Sequence, residues 1–439
     1  MYDPLDPHDV LTDELEQCRQ SGRELGELEG RARAVLDVAP ARDADIPGLL
    51  DLLDRAPRRS DWPHTEIDAA EDVAAHIPDV APRRLVPAQL GDRIHGAWLG
   101  RCIGCLVGKP VEGWTAEAIR AYLAGGRAWP LEGYVPAIEP HPAGAPALKP
   151  SWTEATDGRI DGMPRDDDLD YAVIGLLVLE RFGGAPTTEG VVSAWREHLE
   201  IGKIFTAERA AYRNLLEGRT PPATATIRNP YREWIGALIR ADAYAYAAPG
   251  DPTRAARMVA LDATVSHTGN GVAAAIWAAG LISLALSGAP PTESVILANR
   301  FVPAGTRLDR VLRLVTELHT AGIGWAVARR RIAAETNGYG WVHAIPNAAI
   351  IAASLLWGAG DFVRSVTLAV TAGADTDSNG ATVGSAAGAL IGAAALPARL
   401  VDPLHDTLRT SLPGMGTVAI SELAARSHAL ASAADVARP

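Results

Sequence analysis

Apolar positions along this chain recur with helical spacing, and the alternation typical of half-buried strands persists nowhere. Residues 271–287 and 380–397 form two long apolar runs, built mainly from Ala and Gly. Both are short for a bilayer span, and both read as buried helices. A third apolar run, residues 172–179, directly follows a cluster of carboxylates. Residues 13–38 are charged and helical in pattern, with Leu15, Leu25, Leu28 and Leu36 as the apolar positions. Residues 39–87 mix short apolar pieces with Pro and charge. The pattern predicts an all-α fold of roughly fifteen or more helices. It divides into an N-terminal helical extension, residues 1–88, docked on a single large helical domain, residues 89–439.

Two glycine stripes stand out against this background. Gly96, Gly100, Gly104 and Gly108 recur every fourth residue, and so do Gly380, Gly384, Gly388 and Gly392. Such spacing lines one helix face and lets another backbone approach closely. Pro110 ends the first of these helices, and Glu112 lies just past it. The second opens on Asp375-Thr376-Asp377-Ser378, two carboxylates and a hydroxyl in one turn. Acidic groups favour a helix N-terminus, and the same donors suit a hard cation such as Mg²⁺ or Mn²⁺. Asp166-Asp167-Asp168 opens the helix of residues 172–179 with three adjacent like charges, which either complement its dipole or bind a cation. Cys102 and Cys105 lack a second cysteine pair and read as small core residues.

Composition narrows the function classes. The 439 residues are 48% hydrophobic, enough for a large core. The net charge is -12 and no basic tract occurs, which argues against nucleic acid or an anionic membrane as partner. Three cysteines make no disulfide framework, and the acidic N-terminus has no secretory pattern, so a reducing, cytoplasmic setting is expected. No GxGxxG or P-loop is present. Residues 125–164 are rich in Pro and Gly and carry Trp129, Tyr134 and Trp152, a composition suited to a lid or binding loop.

Four motifs in order resemble those of the ADP-ribosylglycohydrolases. The family's first glycine helix with its Pro-Val-Glu ending is similar to residues 96–112. Its Thr-Asp-Asp-Thr motif resembles Asp166-Asp167-Asp168-Leu169, with Asp166 in place of the first Thr. Its Ser/Thr-His motif resembles Ser266-His267. Its Gly-Gly-Asp-Thr-Asp-Thr motif resembles Gly373-Ala374-Asp375-Thr376-Asp377-Ser378. The family's phosphate loop is similar to residues 234–240, which keep the Gly-x-x-x-Arg frame through Gly236 and Arg240 and lose its Asn-Gly turn. The resemblance implies an all-α hydrolase with two Mg²⁺ or Mn²⁺ ions, held by Asp166, Asp167, Asp168, Asp375, Asp377 and Ser378. It implies acid–base or gating roles for Glu112, Asp167 and Asp168. Substrate contacts would come from Asn229, Gly236, Arg240, His267 and Asn270.

The reaction so implied is hydrolysis of a ribosyl glycosidic bond through an oxocarbenium-like transition state. The substrate would be an ADP-ribosylated protein. The altered phosphate loop keeps open a small NAD-derived or nucleotide riboside instead. A metal-dependent phosphohydrolase and a non-catalytic binding protein on the same scaffold are the other readings.

Overall fold

The computed structural model describes residues 5–37 and 45–436. These residues form 21 α-helices and one small two-stranded sheet, an all-α architecture as the pattern predicts. Its centre is an antiparallel pair of helices, Pro87–Gly108 and Thr376–Ile391. Their glycine stripes face each other at backbone distance. A Cβ placed on Gly104 would lie 1.9 Å from the carbonyl oxygen of Gly380. One on Gly100 would lie 2.1 Å from that of Gly384, and one on Gly96 2.5 Å from that of Gly388. The opposing glycines meet the first helix in the same way, with 2.0 Å from a Gly384 Cβ to the Gly100 oxygen. No side chain fits between the two backbones, so helix propensity is sacrificed for proximity.

Other helices wrap this pair. Gly269–Leu286, Ala344–Gly358 and Phe362–Thr371 pack on the second glycine helix, and Ile420–Val436 packs on the first. Trp98 Nε1 donates to Ser427 Oγ at 3.0 Å across that last contact. Among the described residues, Gly269–Leu286 is the one helix long and apolar enough to cross a membrane, and it is wholly buried.

The N-terminal segment departs from its sequence pattern. The single helical stretch expected over residues 13–38 is two helices, Pro7–Gln20 and Glu27–Leu36, and residue 38 lies outside the described residues. The break falls at Gly22 and Gly26, whose φ values of +72° and +48° take the chain out of helical geometry. With Ile46–Asp54 these helices enclose a small apolar cluster of their own, including Leu11, Leu15, Leu49 and Leu53. Buried polar contacts join it to the rest of the fold. Arg232 donates to both Glu14 oxygens at 2.8 and 2.9 Å, and Gln17 donates to Glu233 at 2.7 Å.

The sheet pairs Thr407–Arg409 with Thr417–Ala419, antiparallel, with Leu408 opposite Val418. Strands of three residues are too short to show alternation in the sequence. Residues 126–149 run without helix or strand and lead into a short 3-10 turn, Pro150–Ala155; Tyr134 in the first and Trp152 in the second are buried, and Tyr134 Oη donates to the Leu400 carbonyl at 2.6 Å.

Gly104→Val is expected to exceed the ~1–3 kcal/mol typical of overpacking, because its clash is with backbone that cannot rotate away. Gly91→Ala places its Cβ 3.9 Å from His428, an ordinary contact, and is expected to be neutral or to stabilise by up to about 1 kcal/mol. Urea denaturation of both variants checks this; equal midpoints would show that the glycine contact is not needed.

Candidate metal and catalytic centre

The glycine contact decides what else comes together. Arg101, Cys105 and Lys109 follow the glycines by one residue and form a polar stripe along the same helix. Arg101 is fully buried. It donates to Asp242 at 2.7 Å, to the Asp168 carbonyl at 2.7 and 3.1 Å, and to Asp168 Oδ1 at 3.2 Å. Lys109 Nζ forms an ion pair with Asp166 Oδ2. Gly108 lies against Thr376, whose hydroxyl donates to the Gly108 carbonyl at 2.7 Å. This contact sets the end of the first glycine helix beside the start of the second.

Asp166 is the N-cap of the helix Asp167–Arg181, its Oδ1 accepting from the Asp168 amide at 3.0 Å. Capping by a short acidic side chain explains why the helix begins there. Asp170, the fourth acid of the run, is tied to Arg165 and Ser411 and turns away from the others. On the opposite side, Gly373 and Ala374 adopt φ of +83° and +66°, the turn that presents Asp375 and Asp377. Backbone bonds Gly113 to Ala374 (3.1 Å) and Ala374 to Trp114 (3.2 Å) fasten that turn to the segment carrying Glu112. Asn347 Oδ1 accepts from the Asp375 amide at 3.3 Å and from Asn379 at 2.7 Å. Ser378 Oγ donates to Asp168 Oδ2 at 3.0 Å.

Two groups of potential ligand atoms result, each with its atoms within 4.8 Å of one another. One contains Cys105, Asp166, Asp168 and Asp377; the other contains Glu112, Asp375 and Asp377. Asp377 belongs to both. Its Oδ1 is buried and has no hydrogen-bond partner among the described residues. Asp167, half-buried, borders these groups without joining either. Ser378 enters only through its hydrogen bond to Asp168.

Charge crowding governs ionisation here. Burial and the carboxylates of Asp377 and Asp166 push Glu112 up to about 9. Burial and Asp166 push Asp167 up to about 7, against the pull of Arg165. Burial and the neighbouring Asp377 carboxylate hold Asp375 well above its usual range. For Asp166, burial opposes ionisation but Lys109 overrides it, and the carboxylate is held below its usual range. Burial pushes the Cys105 thiol up, away from the thiolate that binds soft metals. Such a set of oxygen donors, short of positive charge, suits a hard divalent cation.

The chain's resemblance has an independent counterpart: residues 86–435 match the family model of the ADP-ribosylglycohydrolases. The chain belongs to that family. Among solved structures, it is similar to one described as "ADP-ribosylglycohydrolase-related protein complex". The two share 21% identity and a TM-score of 0.48, over 79% of this chain and 99% of that one. No curated protein matches the chain.

This member of the family keeps the five residues assigned to substrate inside its framework, and none of them belongs to either acidic group. Arg240 is buried and donates to Asp262 at 2.5 Å, to Ser266 at 3.0 Å, to the Gly236 carbonyl at 3.1 Å and to Glu208. Its donors are all engaged by these interior partners and the Asp262 carbonyl. Gly236 abuts Glu208, whose oxygen would lie 2.2 Å from an added Cβ. Asn229 Nδ2 donates to the carbonyls of Ala225 and Ser266. His267 Nδ1 meets Ser266 Oγ at 2.8 Å, and burial followed by Arg240 drives its pKa well down, which leaves a neutral ring. Asn270 bonds Glu233, Glu66 and the Leu308 amide. A groove of about 1180 Å³, lined by Thr188, Arg196 and Arg257 among others, contains no residue of either acidic group.

Sequence reasoning missed Arg101, Lys109 and Asn347 and treated Cys105 as core alone. The four-residue spacing of Arg101, Cys105 and Lys109, next to the glycine stripe, is the signal that would have found three of them.

In protein freed of divalent ions, Glu112 and Asp167 bind protons more tightly folded than at their ordinary values of 4.5 and 3.8. The folded state then holds more protons than the unfolded one between about pH 4 and 9, so these groups lower stability as pH rises through that window. Above about pH 7, where the buried neutral His267 and His343 no longer oppose this slope, denaturation midpoints are expected to fall, with Glu112→Gln flattening that fall. An unchanged slope in that variant would refute the assignment.

Proposed function

We propose that this chain is a metal-dependent hydrolase that cleaves a ribosyl N-glycosidic bond in an ADP-ribosylated substrate. One observation carries the reading: two groups of potential ligand atoms share Asp377, whose buried Oδ1 has no hydrogen-bond partner among the described residues, in a chain of the ADP-ribosylglycohydrolase family. Glu112, Asp375 and Asp377 would hold a divalent ion, Mg²⁺ or Mn²⁺, with Asp166, Asp168 and Ser378 bordering it. When bound, such an ion supplies Lewis acidity and orientation for oxygen groups of the substrate.

The protein's own groups divide the remaining work. Asp167 is half-buried with its pKa about 7, where a group can both take and return a proton near neutral pH. It would accept a proton from the attacking water as the water's oxygen bonds to the ribose C1′ and the glycosidic bond breaks. Asp167 then hands that proton to the leaving group, which departs neutral and leaves the carboxylate ready for the next turnover. The surrounding carboxylates stabilise the positive charge that grows on the ribose ring. Asp168 has its oxygens engaged by Arg101 and Ser378, and would position its neighbours rather than react.

A small riboside remains a second reading. What favours it is Arg240, whose donors are all committed to interior partners, so the phosphate contact expected from the resemblance is missing.

The test is product analysis with Mg²⁺ or Mn²⁺, using ADP-ribosyl-arginine protein and NAD-type small molecules side by side. Release of ADP-ribose from the protein is expected; cleavage of the small molecules alone would support the second reading, and cleavage of neither would overturn both. Asp375→Ala is expected to lower turnover by more than the about 10–100-fold typical of losing a group behind a ligand, and Asn347→Ala to fall within that range in metal affinity. Full activity of Asp375→Ala would sink the metal assignment.

A further inference from the structure

The two ligand groups that share Asp377 are not alike. In the group of Cys105, Asp166 and Asp168, the protein already supplies positive charge and hydrogen-bond donors. Asp166 accepts from Lys109 through one oxygen and from the Asp168 amide through the other. Asp168 accepts from Arg101 through one oxygen and from Ser378 through the other. Of the group's other two members, Asp377 is shared with the second group, and Cys105 is a buried thiol and a poor ligand for a hard cation. In the group of Glu112, Asp375 and Asp377, no lysine or arginine among the described residues hydrogen-bonds any of the three carboxyls. Asp377 Oδ1 lacks any partner.

We propose that Lys109 is a built-in cation that takes the place of one divalent ion, so that this enzyme binds a single ion, at Glu112, Asp375 and Asp377. This rests on the metal-dependent reading above and replaces the pair of ions that the resemblance implies with one ion and one ammonium. The placement of Lys109 is rigid. Its preceding residue, Gly108, is locked against Thr376, and its side chain is mostly buried against Asp166. A second divalent ion between Asp166, Asp168 and Asp377 would meet that ammonium at close range, in surroundings where like charges are weakly screened.

Metal-stripped protein is dialysed against Mn²⁺, bound metal is counted by elemental analysis, and the electron paramagnetic resonance spectrum is recorded. The wild type is expected to hold one equivalent with the six-line signal of an isolated ion. Lys109→Met, matched in length but uncharged, is expected to take up a second equivalent and show the signal of a spin-coupled pair. Lys109→Arg, which keeps the charge, is expected to remain at one. Asp375→Asn in the wild-type background is expected to lose the single ion. Two coupled ions in the wild type would overturn the proposal and leave the metal-dependent reading standing. One equivalent in a folded Lys109→Met would overturn it as well. No bound ion in the wild type would overturn both. The wild-type count decides even where Lys109→Met does not fold.

Discussion

Everything in this molecule hangs on the contact between two helix backbones with no side chains between them. Gly96, Gly100, Gly104 and Gly108 meet Gly388, Gly384, Gly380 and Thr376 in antiparallel order. Glycine in a helix costs roughly 1 kcal/mol relative to alanine at each position, so a run of them weakens both helices as isolated elements. The return is geometric. The C-terminal end of one helix and the N-terminal end of the other arrive side by side, and those two ends carry Lys109 and Glu112 on one hand, Asp375 and Asp377 on the other. A helix pair spaced by larger side chains, at the usual 8–10 Å between axes, would separate these groups.

That closeness creates an electrostatic problem, and the protein solves part of it. Asp166, Asp168, Asp375, Asp377 and Glu112 crowd into a largely buried region, where ionised carboxylates repel and are poorly solvated. Arg101 and Lys109, both from the first glycine helix, neutralise the Asp166 and Asp168 side. The Asp375 and Glu112 side receives no such partner and stays partly protonated without a cation. The asymmetry is one of direct contacts, and it is written into one helix: Arg101 and Lys109, each following a glycine, form their ion pairs with Asp168 and Asp166.

The fold was legible in the sequence because its cause is local and periodic. Glycines every fourth residue, long Ala-rich apolar runs and the absence of alternation all report on helices that pack closely. The two aspartate motifs that cluster in the structure were legible for the same reason, since each opens a helix and lies within four residues of sequence. What was not legible depends on partners far away in the chain. Arg240 looks free in the sequence, yet its partners Glu208 and Asp262 lie on two other helices, Thr206–Leu216 and Pro252–Ala263. Asn270 is likewise consumed by Glu66, more than two hundred residues earlier. A motif shows that a residue type is present; whether its donors are already spent is settled only by tertiary contacts.

Lys109 and Asp166 show the same limit from the other direction. Read alone, Asp166 adds a carboxylate where the resembling motif has a threonine hydroxyl, and the added charge looks like one more ligand. Read with Lys109, fifty-seven residues away, it is half of an ion pair. A buried carboxylate that gains a buried ammonium leaves the net charge of the site as it was with the hydroxyl, while changing which atoms a cation could reach. The extra acid therefore need not strengthen metal binding, and the charge count of the whole site, rather than the number of aspartates in its motifs, determines how many cations it accommodates.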